Sequence, residues 1–187
     1  PLNTTGSTLI DALNPNNDSD GDGLDNQVEV NFGSNPLSTD SDADGLNDVL
    51  EQTLGLNPVS ADSDNDGTND IEEDSDGDGL PNGVELTMGS NPKRSDSDEN
   101  GVDDGDEDHD ADGLNSSIEV NAGLDPSKMD SDSNGISDTI EDTDSDGLNN
   151  ALEVAMGLNI GLADSDGDGV ADGQEDTDKD GVGNALE

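Results

Sequence analysis

Cysteine, tryptophan and tyrosine are absent from this chain of 187 residues, and Phe32 is its single aromatic side chain. Without cysteine there is no disulfide, no thiolate zinc site and no thiol nucleophile. Positive charge is scarce too: 4 Lys+Arg stand against 50 Asp+Glu, a net charge of −46. Such a surface repels polyphosphate and anionic lipid, which excludes nucleic-acid or membrane-surface binding as the main role. No apolar run approaches the roughly 20 residues of a membrane span. Hydrophobic residues make up only 26% of the chain, too few to offset a chain entropy of about 1–2 kcal/mol per residue. By composition the chain is disordered unless something other than an oily core condenses it. No signal peptide is visible, and a start at Pro1 rather than Met reads as a segment trimmed from a longer protein.

The acids that are there keep strict register. A 12-residue pattern, Asp-x-Asp-x-Asp/Asn-Gly closing on Glu, occurs ten times and holds 48 of the 50 acids; Asp11 and Asp125 lie outside. A disordered acidic tail has no reason to keep such order. Hard divalent cations want oxygen ligands, and calcium takes 6–8 of them. Carboxylates at positions 1, 3, 5 and 12, a carbonyl at 7 and Gly at 6 for the sharp turn supply such a set.

The first loop offers Asp18, Asp20, Asp22, the Leu24 carbonyl and Glu29; the second Asp40, Asp42, Asp44, Leu46 and Glu51. The third has Asp62, Asp64, Asp66, Thr68 and Glu73, the fourth Asp74, Asp76, Asp78, Leu80 and Glu85. The fifth has Asp96, Asp98, Asn100, Val102 and Glu107, the sixth Asp108, Asp110, Asp112, Leu114 and Glu119. The seventh has Asp130, Asp132, Asn134, Ile136 and Glu141, the eighth Asp142, Asp144, Asp146, Leu148 and Glu153. The ninth has Asp164, Asp166, Asp168, Val170 and Glu175, and the tenth Asp176, Asp178, Asp180, Val182 and Glu187. Asn100 and Asn134 give weaker sites, and position 9 (Asp, Asn or Ser116) suits a ligand acting through water.

Two charges 4 Å apart repel by roughly 4 kcal/mol at an effective dielectric of about 20. Four carboxylates around one point therefore hold an empty loop open, and cation binding becomes folding free energy. Ten Ca²⁺ take −46 only to −26, which leaves room for further ions shared where loops abut. Magnesium, which keeps several waters, and zinc, with one His and no Cys to bind it, fit less well.

The loops come in two settings. Glu73–Asp74, Glu107–Asp108, Glu141–Asp142 and Glu175–Asp176 join loops directly, while ten-residue spacers separate the others, so that a 34-residue unit recurs from Asp62. In loops followed by a spacer, positions 7, 11 and 15 form an apolar i, i+4, i+8 stripe, such as Leu24/Val28/Phe32 or Leu148/Leu152/Met156. That stripe predicts a two-turn amphipathic helix with its apolar side in a small core. Gly33, Gly55, Gly89, Gly123 and Gly157 stand where a left-handed C-cap belongs. Loops followed directly by another lack room for a full helix.

On these residues the chain resembles a thrombospondin type 3 repeat array of the cysteine-free bacterial kind, most clearly at 176–187 and in GLNPVSADSDNDG, 55–67. The resemblance spans about residues 8–187. It implies a small calcium-stabilised repeat array: mostly irregular loops with short α-helices, an elongated rod, no conventional hydrophobic core and two loop types. It carries the ligand roles to positions 1, 3, 5, 7 and 12 of each loop. Animal members have Cys at position 11, where this chain has Val28, Leu50, Glu72, Val84, Asp106, Ile118, Ile140, Leu152, Gln174 and Leu186, and Glu at position 12 lengthens the ligand arm. Helix–loop–helix sensors need a helix before each loop, and dockerins have two loops; neither matches this spacing.

No catalytic constellation emerges. His109 is the only histidine and sits at loop position 2, pointing away from the metal, and no aromatic platform exists for sugar. The expectation is a non-enzymatic, calcium-binding structural protein. Residues 1–17 form an N-terminal segment or spacer remnant, and 18–187 ten tandem loops binding about ten or more Ca²⁺. Extracellular or bacterial cell-surface placement follows, as a rigid stalk, spacer or fibre segment; the alternative is a calcium-dependent adhesion module or a filament subunit joined end to end. Partners are calcium, other copies or flanking surface domains, with neither nucleic acid nor a membrane span.

Overall fold

Ten times along the chain the backbone closes on itself in the same way. The N–H of loop position 9 donates to the carbonyl of the residue just before the loop, from Asn26 to Asn17 (2.7 Å) through Asn184 to Glu175 (2.8 Å). Inside each closure the chain turns sharply at position 6, which is Gly with positive φ throughout, for example +109° at Gly45 and +108° at Gly113. Only Gly takes this conformation at no steric cost. The computed structural model describes residues 14–186. The rest of the 1–17 segment and Glu187 lie outside the described residues.

Among the described residues there are five α-helices, four short 3₁₀ turns and no strand. The helices are α1 (Asn26–Phe32), α2 (Asp48–Leu54), α3 (Asn82–Met88), α4 (Ser116–Ala122) and α5 (Asn150–Met156). Each begins at position 9 of a loop that has a spacer behind it, as the stripe predicts. Each ends on the expected glycine in the left-handed conformation, with φ between +76° and +90°, whose N–H donates to a carbonyl of the last turn. Where the next loop follows directly the helix shrinks to a 3₁₀ turn, as at Asp70–Glu72, Asp104–Asp106 and Asp172–Gln174. Capping at the helix start is uneven: Asn47 and Asn149 accept the N–H of Leu50 and Leu152, while Asp25, Pro81 and Asn115 make no such bond.

The chain divides into two units, residues 1–76 with 81–93, and 77–80 with 94–187. In the first, α3 packs on the 70–72 turn, and Ile71 fits against the glycines at 45 and 83. In the second, α4 packs on 104–106, and 172–174 packs on Asn184–Leu186. The apolar interior is thin. Leu46, Leu80, Leu114, Leu148 and Ile160 are fully buried. The four leucines are position 7 of helix-bearing loops and fall 34 residues apart. Ile160 takes the register held by the buried prolines Pro58, Pro92 and Pro126.

Of the stripe, only position 7 reaches the core. Phe32, Leu152 and Met156 are exposed, at 51%, 49% and 39%. The buried side of each helix is polar: Asn26 and Glu29, Asp48 and Glu51, Asn82 and Glu85, Ser116 and Glu119, Asn150 and Glu153. The cause lies in the loop. The helix starts within it and must bring position 12 back to the aspartates at its other end, which turns positions 9 and 12 inward and leaves 11 and 15 half-buried or exposed.

Candidate metal centres

The loops order their aspartates through the backbone: those at positions 3 and 5 tie up one oxygen, and that at position 1 accepts an N–H on each oxygen in most loops, as Asp40 does from Ala43 and Gly45. The Oδ1 of position 5 accepts the N–H of position 7 in all ten loops, from Leu24 to Asp22 (2.7 Å) to Val182 to Asp180 (2.8 Å). The Oδ1 of position 3 accepts the N–H of position 5, as Asp42 does from Asp44 (3.3 Å) and Asp110 from Asp112 (3.0 Å). The Oδ2 of position 1 accepts the N–H of the glycine at 6, as Asp130 does from Gly135 (2.8 Å). These bonds fix the side chains before any ligand arrives.

Carboxylate oxygens of the three aspartates converge. Asp18, Asp20 and Asp22 bring carboxylate oxygens within 4.8 Å of one another, as do Asp40, Asp42 and Asp44, and Asp62, Asp64 and Asp66. Asp20, Asp22, Asp42, Asp44, Asp110 and Asp144 each bury an Oδ2 with no hydrogen-bond partner. The closing glutamates complete the pattern. Glu29, Glu51, Glu119 and Glu153 are fully buried, and neither carboxylate oxygen of any of them has a partner. Burying an ion without compensation costs several kcal/mol. Burial, followed by the fields of Asp42 and Asp44, pushes the Glu51 carboxyl up to about 8. The same two causes raise Glu119 and Glu153 to about 8 and Glu29 to about 7. The positive charge of a divalent cation at these oxygens offsets both causes, so the donor set fits a hard metal.

A further carboxylate group crosses between loops. Asp22 and Glu29 of the first loop meet Asp48 of the second, again within 4.8 Å. The sharing of ions is expected where loops abut; this group lies across a spacer. The same neighbours recur in the fields acting on Glu51 from Asp70, on Glu119 from Asp138 and on Glu153 from Asp172, each position 9 of the next loop. The next loop is also tied in through the backbone: the N–H groups of Gly105, Thr139 and Gly173 donate to Asp78, Asp112 and Asp146 Oδ2 at 3.2, 3.1 and 2.7 Å.

Position 9 therefore does more than the water-bridged role its spacing predicts. After a spacer it is Asp: Asp48, Asp70, Asp104, Asp138 and Asp172. These accept the N–H of the position-2 serine, as Asp70 does from Ser63 (2.9 Å), and Asp48, Asp70 and Asp138 also accept its hydroxyl. That hydroxyl in turn accepts a spacer N–H, Asn35 to Ser41 or Asn57 to Ser63. In loops that abut a predecessor it is Asn82, Ser116, Asn150 or Asn184. There Asn82, Asn150 and Asn184 donate through Nδ2 to the carbonyls of Asp70, Asp138 and Asp172, twelve residues back. The division of Asp and Asn at position 9 follows loop setting in the sequence, and is the signal that marks these structural roles.

The remaining closing glutamates are less enclosed. Glu73, Glu107, Glu141 and Glu175 end loops without a following helix and are partly exposed; Glu187 lies outside the described residues. At position 7 the side chain is buried only where a helix follows, and Val102, Ile136, Val170 and Val182 are exposed. His109 is exposed on the loop surface.

Acid-lined loops repeated in register, with carboxylate oxygens brought together and almost no apolar interior among the described residues, define a repeat protein whose loops fit a hard cation. The bacterial TSP3 repeat family matches the chain at four stretches, residues 18–39, 74–95, 142–157 and 164–179. No curated protein and no solved structure matches it. Among the described residues no helix is long and apolar enough to cross a membrane.

Proposed function

We propose that the chain is a calcium-folded structural segment of an extracellular or cell-surface protein, a stiff stalk or fibre element that spaces or presents its neighbours. The observation that carries this reading is the set of buried glutamates, Glu29, Glu51, Glu119 and Glu153, with both carboxylate oxygens unpartnered beside converging aspartates. Such oxygens are stable in a folded chain only if neutralised. When bound, calcium supplies two positive charges and accepts six to eight oxygen ligands at once.

The division of labour within a loop follows. The aspartates at 3 and 5 keep one oxygen on the backbone and turn the other inward, while the aspartate at 1 is held through both oxygens, as Asp40 is by Ala43 and Gly45. Gly at 6 makes the turn, and the carbonyl at 7 adds a neutral ligand. Glu at 12, held by the following helix, closes the ring. Asp at 9 links the loop to its predecessor, as Asp48 does to Glu29. Because each loop rests on its neighbours, stability propagates along the array as in other linear repeat proteins. Extracellular calcium fills sites of 10⁻⁴–10⁻³ M, the range of extracellular modules.

Small-angle scattering and circular dichroism, with calcium and after EGTA, test the reading. The expected result is a long particle of fixed dimensions that becomes a broad ensemble on chelation and recovers on adding calcium back. A profile unchanged by EGTA rejects calcium-driven folding. A folded but compact particle in calcium rejects the stalk.

A further inference from the structure

Two loops carry at position 5 an amide that does part of a cation's work. In the loops starting at Asp62, Asp96, Asp130 and Asp164, each preceded by a spacer and followed directly by another loop, position 5 reads Asp66, Asn100, Asn134 and Asp168. In the middle two, the amide Nδ2 of Asn100 donates to Glu107 Oε1, and that of Asn134 donates to Glu141 Oε1. The orientation of each amide is fixed by the turn. The Oδ1 of Asn100 accepts the N–H of Val102 (2.9 Å), and that of Asn134 accepts the N–H of Ile136 (2.8 Å). Turning either amide over would face NH₂ against N–H, so the nitrogen stays on the glutamate.

From this we infer that the loops 96–107 and 130–141 are calcium-sparing links, which stay closed at calcium levels that open their Asp-bearing counterparts 62–73 and 164–175. The inference rests on the array being calcium-folded. Replacing one of four carboxylates by an amide cuts the six mutual repulsions to three. It also turns the contact between positions 5 and 12 from repulsion into a hydrogen bond to a charged acceptor. The same nitrogen takes up a glutamate oxygen and leaves position 5 without a free carboxylate oxygen, so these loops are the weakest ion sites.

A second, independent feature falls in the same places. Of the 4 Lys+Arg in the chain, Lys93 and Arg94 stand in the spacer before loop 96–107, and Lys128 in the spacer before loop 130–141. The spacers before 62–73 and 164–175 have none. Arg94 pairs with Glu99 at 2.7 Å, inside the loop it precedes, and Lys128 pairs with Asp125. These exposed pairs contribute little stability individually. Arg94 sets fixed positive charge inside loop 96–107, while Lys128 offsets the spacer's Asp125 and Lys93 donates to the Thr53 carbonyl.

Amide hydrogen exchange in calcium–EGTA buffers tests this on the full chain. Gly101, Val102, Gly135 and Ile136 report on the Asn loops, and Gly67, Thr68, Gly169 and Val170 on their counterparts. As free calcium falls, the second group is expected to lose protection first, with the first group still protected about tenfold or more. The double variant Asn100→Asp/Asn134→Asp should erase that difference, and in calorimetric calcium titration should tighten the weakest step by about tenfold. Loss of protection at one common calcium level, or an unchanged titration in the double variant, overturns the inference alone. Exchange that ignores calcium in all eight amides overturns the calcium-folded array and this inference with it.

Discussion

Position 4 of the loops shows how tightly a single residue is constrained. Ala43, Asn65, Glu99, Ala111, Ser133, Ser145 and Lys179 all have φ between +62° and +66°, and Gly21, Gly77 and Gly167 take the same place with positive φ elsewhere in the array. A side chain with a Cβ in this conformation costs roughly 1 kcal/mol, part of which returns as lower entropy of the unfolded chain. Ala43→Gly is therefore expected to stabilise the calcium-loaded protein by up to about 1 kcal/mol, read as a raised midpoint in EGTA or thermal titration. Position 12 responds in the opposite sense with and without metal. Glu119→Gln removes a charge from a buried, unpartnered site, so the metal-free form should gain structure while calcium affinity falls by about tenfold or more, a crossing visible by running the same titration from both ends. The convergence of the acids at positions 1, 3 and 5, as at Asp40, Asp42 and Asp44, was legible in the sequence because their spacing recurs in strict register. The partners of position 9 were not, because a carboxylate that bonds a serine and one that bonds a metal occupy the same letter.

At the scale of elements, helix positions and caps were legible, since the i, i+4, i+8 stripe and the glycine that ends it are local signals. Which side of the helix is buried was not. Amphipathicity predicts an apolar face against a core, yet Glu29, Glu51, Glu85, Glu119 and Glu153 are inside while Phe32 and Leu152 face out. The hydrophobic pattern loses because the loop pulls position 12 toward its own aspartates, a constraint that periodicity does not contain. Two substitutions probe how elements are joined. Asn150→Asp exchanges the amide that donates to the Asp138 carbonyl for a charge beside Glu153, and should cost about 1–3 kcal/mol. Gly173→Ala places a Cβ 2.5 Å from the Asp146 carbonyl oxygen, where backbone must move. It should lower the EGTA midpoint of the surrounding loops clearly more than the same change at Gly169, where nothing lies within 4 Å and only the positive φ is strained.

For the molecule as a whole, pH and calcium act on the same carboxyls. Glu51, Glu119 and Glu153 rise from an ordinary 4.5 to about 8 in the metal-free fold. Between those values the fold binds more protons than the unfolded chain. Its metal-free stability is thus fully present below about 4.5 and lost as pH rises through about 8. Far-UV circular dichroism in EGTA should show more ordered chain at pH 5 than at pH 8.5. Calcium binding at pH 7 should release protons, measured by calorimetry in buffers of different ionisation enthalpy, and should weaken as pH falls. Equal spectra at both pH values, or no proton release, would remove the buried glutamates from the account.

The register of Leu46, Leu80, Leu114 and Leu148, one every 34 residues, has an evolutionary consequence. A whole block gained or lost by recombination leaves the surroundings of nearly every side chain as they were, whereas a single-codon insertion shifts ligands out of phase and disables the loop it enters. Selection on such a gene can change the copy number of the array freely while tolerating almost no change of phase within it.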